Sequence, residues 1–366
     1  MRYILYISRL FKTQFMKHLI AIMLFCGIGW NLQAQTDTVK IPVDDPQKAE
    51  RMYNEGTKLY ENGDLKNAIS KFDEAIRLKP DFGKAFYNRG IAKIELKDNN
   101  GAEKDLNKAI ELDPTANAYF FRGKLGYDKN NNEAAWSDFK KALELDSNHA
   151  QTYYYVGSLY FDEKNYQEAI VNYTKSAEKD KDSYTYAYSY NDMGSCYKML
   201  ENYDEALRCY KEAANINNKL AFAFNNAGSI YRKLEKYDSA IEEFTKAIGA
   251  DPDYYIAYNN RGLAKMDKKD YEGAIADFTK AAEMNPEYAY AYNNRGCAKY
   301  GAENFTGAIE DFTKAITINP AFGNAYMNRG NAREMNRDLE GACADWHKAQ
   351  ENGITKAEGY IKKACK

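Results

Sequence analysis

Small and bulky apolar residues recur along the chain in a 34-residue pattern, which is clearest in the unit that starts at Ala289. Small residues stand at positions 8, 20 and 27 of this unit (Gly296, Ala308 and Ala315), where two helices can approach closely. Bulky Phe312 lies among them, and Pro320 ends the second apolar stretch. This spacing predicts a helix, a turn, a second helix and a turn.

The same unit occurs nine times over residues 49–356, with first residues at 49, 83, 116, 150, 187, 221, 255, 289 and 323. The position-8 residue is always glycine: Gly56, Gly90, Gly123, Gly157, Gly194, Gly228, Gly262, Gly296 and Gly330. Their spacing is 34 residues except for one step of 33 and one of 37. Self-similarity at a fixed period is typical of a repeat array, in which each unit packs only on its neighbours.

These positions resemble those of the tetratricopeptide repeat (TPR) family. The resemblance implies an all-α fold: a right-handed superhelical solenoid of paired antiparallel helices. Residues 357–366 follow the helix stop Asn352-Gly353 and can place Tyr360 and Ile361 on one face, so we expect them to form a C-terminal capping helix.

The segment before the repeats is typical of an exported protein. Residues 1–34 are predicted to be a signal sequence, with Met16 as an alternative start, and residues 35–48 a linker. The predicted location is the periplasm or cell envelope of a bacterium, with a membrane tether only if the signal stays uncleaved.

Charge and residue content argue against several functions. The formal net charge is −2, and residues 1–34 carry four basic side chains and no acidic one, which leaves −6 on the rest of the chain. A nucleic-acid partner is therefore not expected. The three histidines and the scattered cysteines offer no metal-ligand spacing, and no phosphate loop or nucleophile motif is present. We expect no metal, no cofactor and no enzymatic activity.

An arginine at position 7 always occurs together with an aspartate at position 23. The pairs are Arg89 with Asp105, Arg122 with Asp138, Arg261 with Asp277, Arg295 with Asp311, and Arg329 with Asp345. The first repeat exchanges the signs, and repeats four to six lack the pair. We infer that the two positions touch across one repeat. Repeats four to six, which also contain the three-residue insertion, are predicted to be a softer joint.

Five cysteines follow the predicted signal: Cys196, Cys209, Cys297, Cys343 and Cys365. Their pairing is open, because an odd number leaves at least one unpaired or bonded to another chain. A disulfide between Cys343 and Cys365 would fasten the cap, and buried free thiols are the alternative.

The resemblance places the binding surface on the first helix of each repeat, where positions 2, 5, 9, 12 and 13 face a bound peptide. Two series of asparagines and three aromatic residues form the candidate peptide-binding site: Asn191, Asn225, Asn259 and Asn293 at position 5; Asn226, Asn260 and Asn294 at position 6; and Tyr154, Phe222 and Tyr290. A side-chain amide both donates and accepts, so a row of amides can bind an extended backbone of any sequence. Repeat duplication explains the amides equally well, and the aromatic residues could instead be core.

Charged residues at the same positions change sign along the predicted groove. The N-terminal half has Glu95, Asp128 and Asp162, whereas the middle has Lys198, Arg232 and Lys233. We expect a non-catalytic scaffold that holds an extended segment of a protein partner. The alternatives are a structural component of an envelope or secretion assembly, and an accessory subunit that positions a separate enzyme.

Overall fold

The computed structural model describes residues 46–181 and 184–365, and within these residues the secondary structure is entirely helical. The predicted signal sequence lies outside the described residues, as does most of the predicted linker. Helix α1 begins at Pro46, so the last linker residues are helical.

The helices alternate between the first and the second helix of each repeat. The first helices, here called A helices, are α1 (Pro46–Glu61), α3 (Gly83–Glu95), α5 (Ala116–Asp128), α7 (Ala150–Asp162), α9 (Tyr184–Met199), α11 (Ala221–Lys233), α13 (Tyr255–Asp267), α15 (Ala289–Gly301) and α17 (Gly323–Met335). The second, or B, helices are α2 (Leu65–Leu78), α4 (Asn99–Leu112), α6 (Asn132–Leu145), α8 (Tyr166–Lys179), α10 (Tyr203–Ile216), α12 (Tyr237–Ala250), α14 (Tyr271–Met284), α16 (Phe305–Ile318) and α18 (Leu339–Glu351). Helix α19 (Ala357–Ala364) packs on α18. The predicted solenoid of helix pairs with a terminal helix is therefore confirmed.

The position-8 glycines allow the two helices of a repeat to cross closely. A β-carbon on Gly262 would lie 2.8 Å from the ring of Phe278, which is fully buried. Real β-carbons do not approach this closely, so the aromatic residue at position 24 requires a glycine opposite it.

The turn between the A and B helices repeats the same backbone geometry. Its position-15 residue has a positive φ, at Gly63 (78°) and at non-glycine residues such as Lys97 (65°) and Glu303 (62°). The next residue is usually Asp or Asn, and its side chain caps the B helix, as Asp270 does for Gly273 N–H at 3.0 Å. The cap stabilises the first turn of the B helix, which follows the turn that contains the left-handed position-15 residue.

The predicted contact between positions 7 and 23 is present in all five repeats that carry the Arg and Asp pair. Asp277 is buried and accepts from Arg261 Nε and Nη2 at 3.0 and 2.7 Å. The same bidentate bond joins Arg89 to Asp105, Arg122 to Asp138, Arg295 to Asp311, and Arg329 to Asp345. The exchanged pair in the first repeat, Lys71 and Glu55, is 2.6 Å apart.

Each of these arginines also connects two repeats, which sequence spacing did not reveal. Nη1 of Arg261 donates to Thr245 at position 25 of the preceding repeat, at 3.1 Å. The aspartate gains a second cation from position 11, where Lys265 lies 2.8 Å from Asp277. One buried carboxylate thus holds two cations, which offsets its desolvation.

The inserted residues between repeats four and five lengthen a helix. Helix α9 begins at Tyr184, one turn before the repeat itself starts at Ala187, and α8 and α9 are in contact. Buried Ala187 and Leu220 belong to one apolar cluster at the following junction. The softness predicted for repeats four to six stays a prediction.

Candidate functional site: the concave face

The A helices form the inner face of the solenoid. For most neighbouring repeats the A helices are in contact with each other, whereas the B helices contact mainly the adjoining A helices. The side on which successive helices come closer is the concave side of a curved array. We call the surface of the A helices the groove.

A chain of side-chain amides runs along this groove. The position-6 amide of one repeat donates to the position-5 amide of the preceding repeat, from Asn226 to Asn191 (3.0 Å), from Asn260 to Asn225 (2.9 Å), from Asn294 to Asn259 (2.9 Å) and from Asn328 to Asn293 (3.0 Å). Within repeats seven and eight, the position-5 amide donates to its neighbour at 3.3 Å. Positions 5 and 6 therefore act together, as an amide ladder that ties repeats five to nine.

The two predicted asparagine series have different exposure. The position-5 residues Asn191, Asn225, Asn259 and Asn293 are only 4–8% exposed. The position-6 residues are half-buried, and each uses only part of its hydrogen-bonding capacity in the ladder. The position-5 series therefore supports the ladder from within, while the position-6 series carries the accessible amides. Peptide binding by either series stays a prediction.

The three predicted aromatic residues also differ. Tyr290 is 55% exposed, and its ring packs against Phe322 with ring centres 5.0 Å apart. Phe222 is half-buried against Tyr188, with ring centres 5.5 Å apart. Tyr154 is half-buried and donates its hydroxyl to a carboxylate, so Tyr290 offers the most accessible ring of the three.

That carboxylate, Asp192, is a groove residue that sequence analysis missed. It occupies position 6 of repeat five, where four later repeats have asparagine, and this interruption of the series was the available signal. Asp192 accepts from the Tyr154 hydroxyl at 2.7 Å and from Asn191 Nδ2 at 2.9 Å. Burial raises the pKa of the Asp192 carboxyl, although both hydrogen bonds act to lower it.

The predicted change of groove charge is weakened by pairing. Arg232 donates to Asp267 of the next repeat at 2.6 Å, and the ammonium of Lys233 lies over the ring of Tyr203. At the acidic end, the hydroxyl of Tyr127 donates to Asp162 at 2.8 Å, and burial raises the pKa of that hydroxyl. Lys198 remains exposed. The groove thus combines acid and tyrosine in its first half with amides in its second.

The five cysteines among the described residues divide into one disulfide and three buried or half-buried thiols. Cys343 and Cys365 form a disulfide between α18 and the residue that follows α19. Burial raises the pKa of Cys196 to about 12, and those of Cys209 and Cys297 to about 11. These three thiols are therefore poor nucleophiles.

Two other kinds of site, a metal centre and a membrane-spanning helix, are not found among the described residues. Among residues 46–181 and 184–365, no group of three or more His, Cys, Asp or Glu side chains is arranged to hold a metal ion. In the same part of the chain, every helix is too short or too polar to span a bilayer.

The paired helices and the continuous groove define an α-solenoid of the class that serves as a protein-interaction scaffold. Family models described as tetratricopeptide repeat match residues 53–117, 116–149, 148–219, 225–292 and 289–322. The chain belongs to the tetratricopeptide repeat family, whose members are generally non-catalytic.

Similar proteins match parts of the chain. It is 37% identical over 101 residues to small glutamine-rich tetratricopeptide repeat-containing protein 2 of Saccharomyces cerevisiae, a match that covers 26% of this chain and 28% of that protein. It is 40% identical over 76 residues to the heat shock protein sti1 homolog of Schizosaccharomyces pombe, covering 20% of this chain and 13% of that protein. The match thus spans less than a third of either relative.

Solved structures confirm the fold. A tetratricopeptide repeat protein from Parabacteroides merdae superposes with a TM-score of 0.52 at 20% identity, covering 69% of this chain and 99% of that one.

Proposed function

We propose that this protein is a non-catalytic scaffold that holds an extended polypeptide segment in its groove. The observation that carries the proposal is the row of half-buried position-6 amides, Asn226, Asn260, Asn294 and Asn328. Each has two N–H donors and an oxygen with two lone pairs, and the ladder uses only part of this capacity. One amide per repeat suits a ligand whose backbone groups recur regularly.

Amides alone do not give a stable complex. Each contact contributes about 0.5–1.5 kcal/mol net, whereas micromolar binding needs about 8 kcal/mol. Tyr290 supplies an exposed ring, and aromatic side chains anchor partners with little loss of conformational entropy. Asp162 in repeat four and Asp192 in repeat five favour a segment that carries a basic side chain near these two repeats.

The test uses twelve-residue peptides selected from a random displayed library on the full chain, with affinity measured by fluorescence anisotropy. Asn260→Asp removes a ladder donor but is sterically conservative, and repeat five already has Asp192 at this position. Asn100→Asp is the control, because it adds the same charge on an exposed residue of B helix α4.

We expect Asn260→Asp to weaken binding about threefold to tenfold, as the loss of one hydrogen bond predicts, and Asn100→Asp to leave it unchanged. Equal affinities for all three proteins would contradict a groove site. That result would favour the assembly component, which uses the B-helix face or the ends, or the accessory subunit.

We also propose that the chain is exported to the periplasm or cell envelope. The disulfide between Cys343 and Cys365 supports this, because disulfides persist in oxidising compartments. Residues 1–34 fused to a reporter enzyme that is active only outside the cytoplasm test the proposal. Activity is expected with the fusion, and an inactive reporter would contradict export.

A further inference from the structure

A cavity between repeats five and six lies where other repeats place an arginine. The position-7 residue of repeat six is Ala227, whose short side chain leaves a cavity of about 360 Å³. Ala227, Phe224, Tyr231 and Glu243 are among the residues that line it. In five other repeats, the arginine from this position extends to position 25 of the preceding repeat.

Two of the three groups that contact an arginine elsewhere are kept in repeat six, and the third, at position 25 of the preceding repeat, is replaced by Lys211. Each of the five arginines places its guanidinium over an aromatic ring at position 4, as Arg261 does over Tyr258, 5.6 Å from the ring centre. Phe224 occupies position 4 in repeat six. A carboxylate is also present at position 23, since Glu243 replaces the aspartate and is 7% exposed. The ring and the acid remain, and the arginine is missing.

Glu243 lacks both of the cations that its counterparts bind. Position 7 is Ala227 and position 11 is Tyr231, where Asp277 has Arg261 and Lys265. The carboxylate of Glu243 instead contacts Lys246 at 2.9 Å, a side chain that also contacts Glu242. Lys246 is 44% exposed in its side chain and offers a single point charge instead of a planar pair of donors.

We propose that this cavity binds the guanidinium group of an arginine side chain from a protein partner. The guanidinium lies against Phe224 and donates two parallel hydrogen bonds to Glu243, in the arrangement that the chain uses internally five times. Lys211 also lines the cavity, and its ammonium donates to the Tyr231 hydroxyl at 2.7 Å. With Lys246 kept in place, Glu243 then holds two cations, as each aspartate in repeats two, seven, eight and nine already does.

The cavity beside Ala227 is open to solvent. The side chains of the five internal arginines stay 13–28% exposed, so the same space in repeat six can be reached from outside. Positions 7 and 23 lie between the A and B helices, and the amide ladder occupies positions 5 and 6. The arginine site therefore does not depend on the groove function.

A second cavity provides a control within the same chain. Between repeats three and four, Val156 replaces the arginine and leaves about 580 Å³ lined by Trp136 and Leu143. Position 23 of repeat four is Asn172, so the position-23 carboxylate is absent, although Glu144 also lines this cavity. In repeat five, Met193 occupies position 7, and its sulfur lies 3.2 Å from Thr174 Oγ1. Repeat six is thus distinguished by a position-23 acid that has no arginine at position 7.

The experiment titrates the full ¹⁵N-labelled chain with N-acetylarginine amide and follows backbone amide shifts from residue 224 to residue 246. The neutral analogue N-acetylcitrulline amide and the ammonium analogue N-acetyllysine amide serve as comparison probes. We expect saturable shifts with arginine and at least about tenfold weaker binding of the other two, because neither makes a bidentate ionic pair.

Two variants locate the site. Ala227→Arg supplies the guanidinium from the chain itself and is expected to abolish binding and raise the melting temperature, whereas Val156→Arg leaves binding unchanged. Glu243→Gln keeps the shape and is expected to weaken binding about tenfold, so the proposal remains testable if Ala227→Arg fails to fold. Non-saturating shifts, equal binding of citrulline, or unchanged binding by Glu243→Gln would overturn the proposal.

Discussion

The position-23 aspartates are the residues on which most ionic contacts between the paired helices converge. Asp277 takes three hydrogen bonds or ion pairs from Arg261 and Lys265 while being 4% exposed. The joint occurrence of arginine at position 7 and aspartate at position 23 was enough to predict their contact, because an arginine never occurs at position 7 without that aspartate. The bond from each arginine to position 25 of the previous repeat could not be predicted, since the residue at that position varies among Asp, Asn and Thr.

Removing a position-23 aspartate leaves half-buried cations without their carboxylate. We expect Asp277→Ala to cost about 3–5 kcal/mol, and the double variant Asp277→Ala/Arg261→Met to cost less than Asp277→Ala alone. Urea unfolding of the wild type, both single variants and the double variant measures the coupling. Additive losses would show that the two side chains do not interact.

The raised pKa of Asp192 makes the free energy of unfolding depend on pH. Its pKa is raised above the ordinary 3.8 in the folded chain, so the folded state binds the proton more tightly than the unfolded state. Stability therefore falls as the pH rises from about 4 through the folded pKa. Asp192→Asn restores the amide of the other repeats, and we expect it to stabilise the protein more at pH 7 than at pH 4.

Urea unfolding at both pH values tests this expectation. Asp162→Asn serves as the matched control, because Asp162 also accepts from a tyrosine but is an exposed residue. An equal gain at pH 4 and pH 7 from Asp192→Asn would contradict the raised pKa.

The position-5 asparagines show the limit of spacing arguments. A 34-residue period places Asn191, Asn225, Asn259 and Asn293 on one line, and it places the position-6 residues on a second line about 100° further round the helix. Which of the two is buried depends on the approach of the next A helix, and that approach is not encoded in one repeat.

At the scale of the element, local signals predicted the helices well. Glycine and alanine positions gave each helix pair, proline ended several of them, and the Asp or Asn before every B helix except α12 is a standard cap. The turn residue with positive φ was missed, because lysine and glutamate at Lys97 and Glu303 carry no signal for that geometry. The inserted residues add a turn to α9, which the sequence did not predict.

The capping helix α19 depends on its disulfide because it is short. It spans Ala357–Ala364, and isolated helices of this length are unstable in water. We expect Cys365→Ser to destabilise the cap by about 2–4 kcal/mol, seen as faster hydrogen exchange over residues 357–364. Dithiothreitol should reproduce this in the wild type and have no further effect on the variant. Unchanged exchange in Cys365→Ser would show that packing alone holds the cap.

At the scale of the whole molecule, the repeat number and the solenoid followed from the sequence. Which side chains occupy the spaces between repeats did not follow from the sequence, because each space is shared by residues of two neighbouring repeats. Val156 and Ala227 line cavities, whereas the sulfur of Met193 contacts Thr174 Oγ1, so repeats four to six differ from one another despite lacking the same pair. Only the structure could distinguish a filled gap from an open one.

The central claim is that the groove is the surface through which the scaffold holds its partner. The most direct measurement places a photoreactive amino acid in the full chain at Tyr290 or Lys198 on the A helices, or at Lys66 or Lys280 on the B helices, all four being exposed residues. After irradiation in the cells that produce the protein, adducts are compared by mass.

The account predicts one discrete adduct from both A-helix positions and none from the B-helix positions. Adducts formed only from Lys66 or Lys280 would contradict it and would assign the working surface to the opposite face of the solenoid.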